Sequence, residues 1–223
     1  MDIPMVWPVA LFITLGLMAC ANPTSEQEFN GTPLKSGDIA PNFALSDQAD
    51  RSVSLESLKG QVVVLTFLYT NCPDVCPIVT SRLREVQMLL ESDADDARFV
   101  AVSVDPDRDT VGSAQEYLDK WGLSTNWHFL VGDRLELEEV WKAYYVDPAV
   151  SDHDPLESGR ASPTPEPRGA IDALSAEIAK HYLVIHSTPV FLIDREGRRR
   201  VVFTPPLEPE EVAADIRRLL DSG

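Results

Sequence analysis

Cysteine and positive charge are both scarce in this 223-residue chain. The chain has three cysteines, and its 19 Lys and Arg residues face 36 Asp and Glu residues, for a formal net charge of −17. A surface of that sign repels phosphate backbones. The sequence also lacks a basic stripe, a glycine-rich phosphate loop and an internal repeat. These absences argue against nucleic acid as a partner and against phosphate chemistry, and they favour a cation or a basic protein.

The remaining composition is that of an ordinary globular protein. Hydrophobic residues make up 44% and aromatic residues 8% of the chain. This is enough for a buried core that needs no disulfide cross-links. The length suits one domain with appendages, because domains commonly run to roughly 100 to 200 residues.

The N-terminus predicts an exported, membrane-attached protein. Residues 6–19 form an apolar run that suits a secretory signal but is short for a spanning helix, which needs about 20 residues. The run ends in LMAC, which resembles the bacterial lipobox, so we expect residues 1–20 to be a signal peptide with lipidation at Cys20. Because Asp2 stands where basic residues are usual, an uncleaved anchor is the alternative. Both interpretations place the domain outside the cytoplasm, where disulfides persist.

Residues 21–36 are polar and rich in turn-forming residues, which is typical of a flexible tether. We therefore expect the folded domain to begin near Gly37. A second segment of this kind is the acidic stretch 147–168, which contains five prolines. It predicts a long loop within an insertion spanning 147–180, where AIDALSAEIAK is compatible with a short helix.

Strands alternate with helices between these segments. Residues 61–68 form a continuous apolar run, typical of a strand buried on both faces of a parallel or mixed sheet. NFALSD and RSVSL predict a short hairpin before it. We predict further strands at 99–104 and 127–131 and within HYLVIH, VFLID and RRVVF, and helices at 78–90, 111–121, 134–145 and 209–220. This alternation indicates the α/β class, with a central mixed sheet flanked by helices.

Cys72 and Cys76 follow the central strand and precede a helix, where open α/β sheets place their functional sites. Pro77 suits the first helical position, which makes Cys76 the predicted N-cap. A sulfur at an N-cap faces free backbone N–H groups and the positive end of the helix dipole, which favour thiolate. Thiolates bind soft metals and attack disulfides, so a metal site and a redox pair both remain open. A purely structural disulfide is the third option, although so short a loop would stabilise the fold little.

Four segments, YTNCPDVCP, SVDPDRDT, HYLVIHST and FLIDREGR, occur in this order and together resemble the SCO/SenC family of copper proteins. The resemblance covers nearly the whole chain after the tether and implies a thioredoxin-like domain over residues 37–223. It also implies copper, as Cu(I), Cu(II) or both, bound by Cys72, Cys76 and His186. Two thiolates and an imidazole suit copper, whereas structural zinc would require a fourth ligand. Family members often carry aspartate directly before this histidine, where Ile185 stands here, so we expect different tuning of the site.

Asp105, Arg108 and Asp109 match the family's DPxRDT element, and we expect them to shape the loop beside the site. Asp109 or Thr110 is also suited to cap the following helix. The other histidines are weaker candidates for ligation. His128 lies in a predicted core strand, His181 shortly before His186, and His153 in the acidic loop.

The resemblance implies a membrane-tethered copper metallochaperone for assembly of the CuA centre of cytochrome c oxidase. Its partners would be the oxidase subunit that carries CuA and, as a further option, other copper chaperones. The alternative is an extracytoplasmic thiol-disulfide reductase in which Cys72 and Cys76 act on the oxidase's own cysteines. CxxxC in place of CxxC favours the copper function over a dedicated reductase. An inert disulfide in a tethered binding domain predicts neither copper binding nor reducible cysteines.

Overall fold

The computed structural model of the protein describes residues 29–34, 38–123, 126–151 and 183–222. The predicted signal peptide with Cys20, most of the tether and most of the insertion lie outside these residues, and so do His153 and His181. The strands are β1 Thr32–Pro33, β2 Ala44–Ser46, β3 Ser52–Ser54, β4 Val62–Leu68, β5 Ala97–Ser103, β6 Trp127–Leu130, β7 Ala149–Ser151, β8 Leu183–Ile185, β9 Val190–Ile193 and β10 Arg199–Phe203. The α-helices are α1 Val75–Leu90, α2 Val111–Trp121, α3 Arg134–Ala143 and α4 Pro209–Asp221.

Six strands form one mixed sheet in the order β1-β10-β9-β4-β5-β6. Strands β4, β5 and β6 run parallel, whereas β9 is antiparallel to β4 and β10 is antiparallel to β9. All seven residues of β4 are buried, which explains the uninterrupted apolar run in the sequence. The predicted α/β class and mixed sheet are confirmed. The predicted hairpin is confirmed as β2–β3, and β7 pairs with β8 as a separate two-stranded sheet.

The helices cover the sheet with amphipathic faces. In α1 the buried residues Val79, Leu83, Val86 and Leu90 recur every three or four positions, and this helix packs against α4. Helices α2 and α3 begin with capping boxes at Thr110 and Asp133, respectively. Within the described part of the chain, no helix is both long and apolar enough to cross a bilayer.

The start of the domain differs from the sequence-based expectation. Residues 29–34 belong to the fold, although the composition of 21–36 predicts a tether, because Thr32–Pro33 pairs with β10 as an edge strand. The buried Asp215 carboxylate holds this segment by accepting hydrogen bonds from the backbone N–H groups of Asn30 at 2.9 Å and Gly31 at 3.0 Å. A Cβ atom on Gly31 would lie 2.5 Å from Val201 Cγ1, so the segment approaches β10 closely.

Candidate metal and redox site

The cysteine pair lies where the central strand passes into helix α1. The helix begins at Val75 with Asp74 as its N-cap, so the prediction that Cys76 is the N-cap is wrong. Pro77 is the third helical residue, and a proline anywhere in the first turn forfeits no intrahelical hydrogen bond. Cys72 lies outside the helix, and its sulfur accepts a hydrogen bond from the Cys76 backbone N–H at 3.4 Å. The sulfur that faces the helix N-terminus is therefore that of Cys72.

The two thiols have opposite electrostatic environments. A hydrogen bond from the Cys76 thiol, supported by the backbone N–H groups of Cys76 and Asp74 and by Tyr69, lowers the pKa of Cys72 to about 6. The pKa of Cys76 is raised because its proton is held by Cys72 and because it is fully buried. Cys72 is partly exposed. A thiolate therefore lies at the predicted helix end, but it belongs to Cys72 and not to Cys76, the predicted N-cap.

His186 lies between β8 and β9, and within the described part of the chain one of its ring nitrogens has a hydrogen-bond partner and the other has none. Its Nδ1 is 2.8 Å from the Ser187 carbonyl oxygen, which can only accept, so Nδ1 carries the proton. Its Nε2 is buried and has no hydrogen-bond partner among the described residues. Burial also lowers the pKa of His186, which keeps the imidazole neutral. A neutral imidazole with a free Nε2 lone pair and a fixed tautomer is the form that ligates metals.

Tyr69 packs against the His186 ring and helps to lower the pKa of Cys72, and it is not among the site residues predicted from the sequence. It directly follows β4 and is 2% exposed. Its hydroxyl accepts a hydrogen bond from the Val184 backbone N–H at 3.3 Å and helps to lower the pKa of Cys72. Its ring meets the His186 ring edge to face with centroids 5.8 Å apart. The available signal was a tyrosine at the end of a buried strand, since a buried tyrosine hydroxyl requires a hydrogen-bond partner.

The DPDRDT segment lies against the chain that leads to Cys72. The buried Asp109 carboxylate accepts hydrogen bonds from the Thr70 backbone N–H at 3.0 Å, the Thr70 hydroxyl at 2.6 Å and the Ser103 hydroxyl at 2.6 Å. Burial raises the pKa of Asp109 to about 6 in spite of these donors. Arg108 is bonded to Asp105, and its guanidinium lies over the Tyr69 ring, 5.6 Å from the centroid. This segment therefore holds Tyr69 and Thr70, which precede the first cysteine, in place through hydrogen bonds to Thr70 and the contact of Arg108 with the Tyr69 ring.

The structure places the remaining described histidine in a structural role. His128 Nδ1 lies 3.3 Å from Asp47 Oδ2, and Asp47 also binds the Arg51 guanidinium at 2.7 Å. This group holds the β2–β3 hairpin against β6.

The predicted copper ligands are only partly assembled. The Cys72 sulfur accepts a hydrogen bond from the Cys76 backbone N–H, and the His186 ring packs against Tyr69. Among the described residues, however, no group of three His, Cys, Asp or Glu side chains lies close enough together to hold a metal ion. The donor types suit a soft ion, but His186 must approach the sulfurs before all three can bind one.

A mixed sheet that carries a cysteine pair after its central strand and a histidine before its penultimate strand defines a thioredoxin-like α/β protein with a thiol site. The SCO1/SenC family model matches residues 31–162, and the chain belongs to this family. Proteins of the family are known for copper binding and for cytochrome c oxidase assembly. Both cysteines lie within the matched range, and His186 lies beyond it.

Three relatives illustrate the similarity. The SCO1 protein homolog of Bacillus subtilis is 37% identical over 129 residues, which cover 57% of this chain and 63% of that protein, or somewhat under two thirds of its length. The structure of Bradyrhizobium japonicum ScoI with copper bound is 31% identical with a TM-score of 0.63, covering 82% of this chain and 99% of that one. A SCO1/SenC family lipoprotein from Bacillus anthracis is 25% identical with a TM-score of 0.63, covering 84% and 97%, respectively. The predicted thioredoxin-like fold is confirmed by these structures.

Proposed function

We propose that this protein is a membrane-tethered copper metallochaperone that delivers copper to the CuA centre of cytochrome c oxidase. Copper is its cargo, with Cys72, Cys76 and His186 as ligands. The observation that carries the proposal is the donor set itself. A partly exposed sulfur with a pKa lowered to about 6 accepts a hydrogen bond from the backbone N–H of the second cysteine, and the neutral His186 imidazole has an Nε2 with no hydrogen-bond partner among the described residues.

The chemistry of these donors favours Cu(I). Thiolate is the soft ligand that Cu(I) prefers, and the low pKa of Cys72 supplies it at neutral pH. Cys76 must lose its proton when copper binds, so loading releases a proton. The Nδ1 proton of His186 is held by the Ser187 carbonyl, which leaves Nε2 as the donor atom. Because Ile185 is 60% exposed and apolar, that position supplies no carboxylate to orient the imidazole.

The cellular setting that we propose is the outer face of a bacterial cytoplasmic membrane. The LMAC sequence supports lipidation at Cys20, and a relative with the same fold is a lipoprotein. The net charge of −17 favours encounter with a basic face on the acceptor or on a copper donor. The acceptor that fits the family is the oxidase subunit that carries CuA.

The first test is copper stoichiometry on a chain that lacks only residues 1–20, so that strand β1 is retained. After reduction and anaerobic loading with Cu(I) in the presence of a competing chelator, we expect one retained copper per chain. His186→Ala should lower the affinity for copper at least about tenfold, because even changes to residues that only orient metal ligands cost about that much in metal affinity. His128→Ala is the matched control, because its imidazole bonds Asp47 away from the cysteines, and it should retain copper. Equal retention by the His186 and His128 variants would overturn the ligand set.

A thiol-disulfide reductase is the second candidate, and the asymmetry of the pair favours it. The Cys72 thiolate would attack a target disulfide, forming a mixed disulfide and expelling the other target sulfur as a thiolate. Cys76 would then lose its proton and attack the Cys72 sulfur, releasing the second target thiolate and leaving a Cys72–Cys76 disulfide. The target gains the two electrons that the pair loses. This activity should persist in copper-free protein and in His186→Ala, whereas copper delivery should be lost in that variant.

A further inference from the structure

Helix α3 ends in a Schellman motif that carries a tyrosine where glycine is usual. The Val146 backbone N–H donates to the Trp141 carbonyl at 2.8 Å, and the Tyr145 N–H donates to the Lys142 carbonyl at 3.4 Å. The motif holds Tyr145 in the left-handed backbone region, with φ 58°. A residue with a Cβ atom is strained in that region, whereas glycine is not.

Packing within the fold does not compensate this strain. Tyr145 is 84% exposed, whereas Tyr144, directly before it, is 1% exposed. Strained backbone positions are typical of functional sites. Tyrosine is also among the residues that contribute most binding energy at protein interfaces. A strained and exposed tyrosine therefore indicates a contact with a partner.

A second exposed apolar side chain lies in the first turn of α3, where Leu135 is 74% exposed. Residues three or four positions apart are neighbours on a helix surface. Leu135, Glu138, Lys142 and Tyr145 follow at these spacings, and we call them the α3 strip. Ten residues of helix amount to about 15 Å, so the strip carries one apolar anchor at each end of that distance.

The surface around these anchors is negatively charged. A groove of about 510 Å³ lies beside Tyr145. The exposed carboxylates of Glu138, Glu139 and Asp147 outnumber the ammonium group of Lys142. Such a face attracts a basic protein. It repels an anionic lipid surface and a second copy of this acidic chain, which has a net charge of −17.

The α3 strip begins at the end of the sheet that carries the proposed metal site. Strand β6 is parallel to β4, so α3, which follows β6, starts at the same end as Cys72. Arg134, the other cation of α3, is paired at 2.7 Å with Asp107 of the DPDRDT segment. Past Tyr145 the chain enters β7, which pairs with β8, where Ile185 is 60% exposed. A partner on the strip would thus lie beside the loops that carry the proposed ligands.

We propose that the α3 strip is the docking surface for a basic face of the protein that receives copper from this chain. The proposal rests on the proposed function and assigns the surface through which the acceptor is recognised. Leu135 and Tyr145 enter apolar pockets of the partner, and Glu138 and Glu139 pair with its Lys or Arg side chains.

The test measures binding of the metal-free chain that lacks residues 1–20 to the soluble domain of the oxidase subunit that carries CuA. Leu135→Ala and Tyr145→Gly should each raise the Kd at least about fivefold, the loss that marks an important interface residue. The double variant Glu138→Gln with Glu139→Gln should bind more weakly at low salt, and its affinity should depend less on salt.

Met88→Ala is the matched control for these variants. Met88 is 58% exposed but lies in the last turn of α1, about 20 Å along that helix from its start beside Cys72. This variant should bind as tightly as the unmodified chain.

A second measurement needs no partner. Tyr145→Gly should raise the Tm by about 2 to 4 °C, because glycine relieves the left-handed strain and little packing is lost. A lower Tm would overturn the proposal, since the tyrosine would then be required by the fold.

The outcomes separate this surface from the proposed function. Binding of the Leu135 and Tyr145 variants within twofold of the unmodified chain would overturn the surface even if copper is transferred, and so would a chain that does not bind the domain. A dimer of the unmodified chain that Leu135→Ala dissociates in sedimentation would overturn it too, because a second copy would then cover the strip. Failure to retain copper would instead remove the metallochaperone function, and the metal-free binding would still decide the role of the strip.

Discussion

Cys72 and Cys76 differ in reactivity because the N-terminus of helix α1 supplies its donors to only one of them. The Cys72 sulfur accepts a hydrogen bond from the Cys76 backbone N–H, and the Cys76 thiol further lowers its pKa. Cys76 is fully buried, and its thiol proton is held by Cys72, which raises its own pKa. A depressed pKa means that the Cys72 thiolate is present above about pH 6 and is lost as the pH falls through that value. The partner thiol stays protonated through neutral pH.

Single-cysteine variants test this asymmetry. At pH 7, Cys72 in Cys76→Ser should react with iodoacetamide at least about tenfold faster than Cys76 in Cys72→Ser, because an ordinary thiol is only a few per cent ionised there. Serine at position 76 retains an O–H donor, so the pH midpoint for Cys72 should stay below the ordinary value of about 8.5. The measurement is alkylation rate from pH 5 to 10. Equal rates, or faster reaction of Cys76, would contradict the assignment.

The sequence could predict where the sulfurs lie but not which one is ionised. A buried strand followed by cysteines and a proline-containing helix start is a local pattern, and it placed the pair correctly. Which cysteine is the thiolate depends on whether the helix begins at Val75 or at Pro77. The sequence cannot decide between these starts, because proline is tolerated at any position of the first helical turn. The role of Tyr69 depends on a hydrogen bond to Val184, 115 positions away, which no local pattern records.

At the scale of elements, strand β1 is held by contacts that only a small residue permits. A Cβ atom at position 31 would meet Val201 at 2.5 Å and the Phe203 ring at 2.8 Å, and both belong to β10. Asp215 of α4 supplies the hydrogen bonds that fix the same segment. The N-terminal strand is therefore wedged between the sheet edge and the last helix.

Gly31→Ala should lower the free energy of unfolding by about 1 to 3 kcal/mol, the usual cost of inserting a methyl group into a packed site. Urea unfolding followed by circular dichroism measures it. Gly112→Ala is the matched control, because a Cβ atom there would lie at an ordinary contact distance of 3.7 Å from Thr110 Oγ1, and alanine favours the helix. A Gly31 variant as stable as the Gly112 variant would mean that β1 does not contribute to the fold's stability.

Elements with regular periodicity were predicted well, and elements without it were not. Strand β4 and helices α1 to α4 carry their apolar pattern in sequence, and their predicted bounds agree with the structure to within three residues. Strand β1 is two residues long, Thr32–Pro33, and its polar, proline-containing sequence reads as a linker. It pairs with β10, and Asp215 of α4 accepts a hydrogen bond from the residues just before it. Both partners lie near the other end of the chain, so local sequence could not reveal the strand.

The whole molecule carries a large excess of negative charge, and this excess opposes its compact state. With a net charge of −17, repulsion among carboxylates exceeds the attraction within the surface ion pairs, which are individually weak. Added salt screens both interactions. The Debye length falls from about 30 Å at 0.01 M to about 10 Å at 0.1 M.

The urea midpoint of unfolding at pH 7.5 should therefore rise between 10 and 200 mM NaCl, with a gain of about 1 kcal/mol in the free energy of unfolding. At pH 4.5, close to the sequence pI of 4.5, net charge is near zero and the same salt series should have little effect. A midpoint that falls with salt at pH 7.5 would mean that specific ion pairs outweigh the general repulsion.

The direction of strand β1 determines at which end of the sheet the N-terminal segment joins the domain. Strand β4 runs toward Cys72. Because the pairs β4–β9, β9–β10 and β10–β1 are all antiparallel, the chain enters β1 at the same end of the sheet as Cys72, three strands away from β4. Three strand spacings amount to about 14 Å. If Cys20 is acylated, the eight residues 21–28 can span at most about 27 Å when fully extended. With that anchor, the end of the sheet that carries the cysteine pair would lie on the membrane side of the domain, accessible to a subunit embedded in the same bilayer.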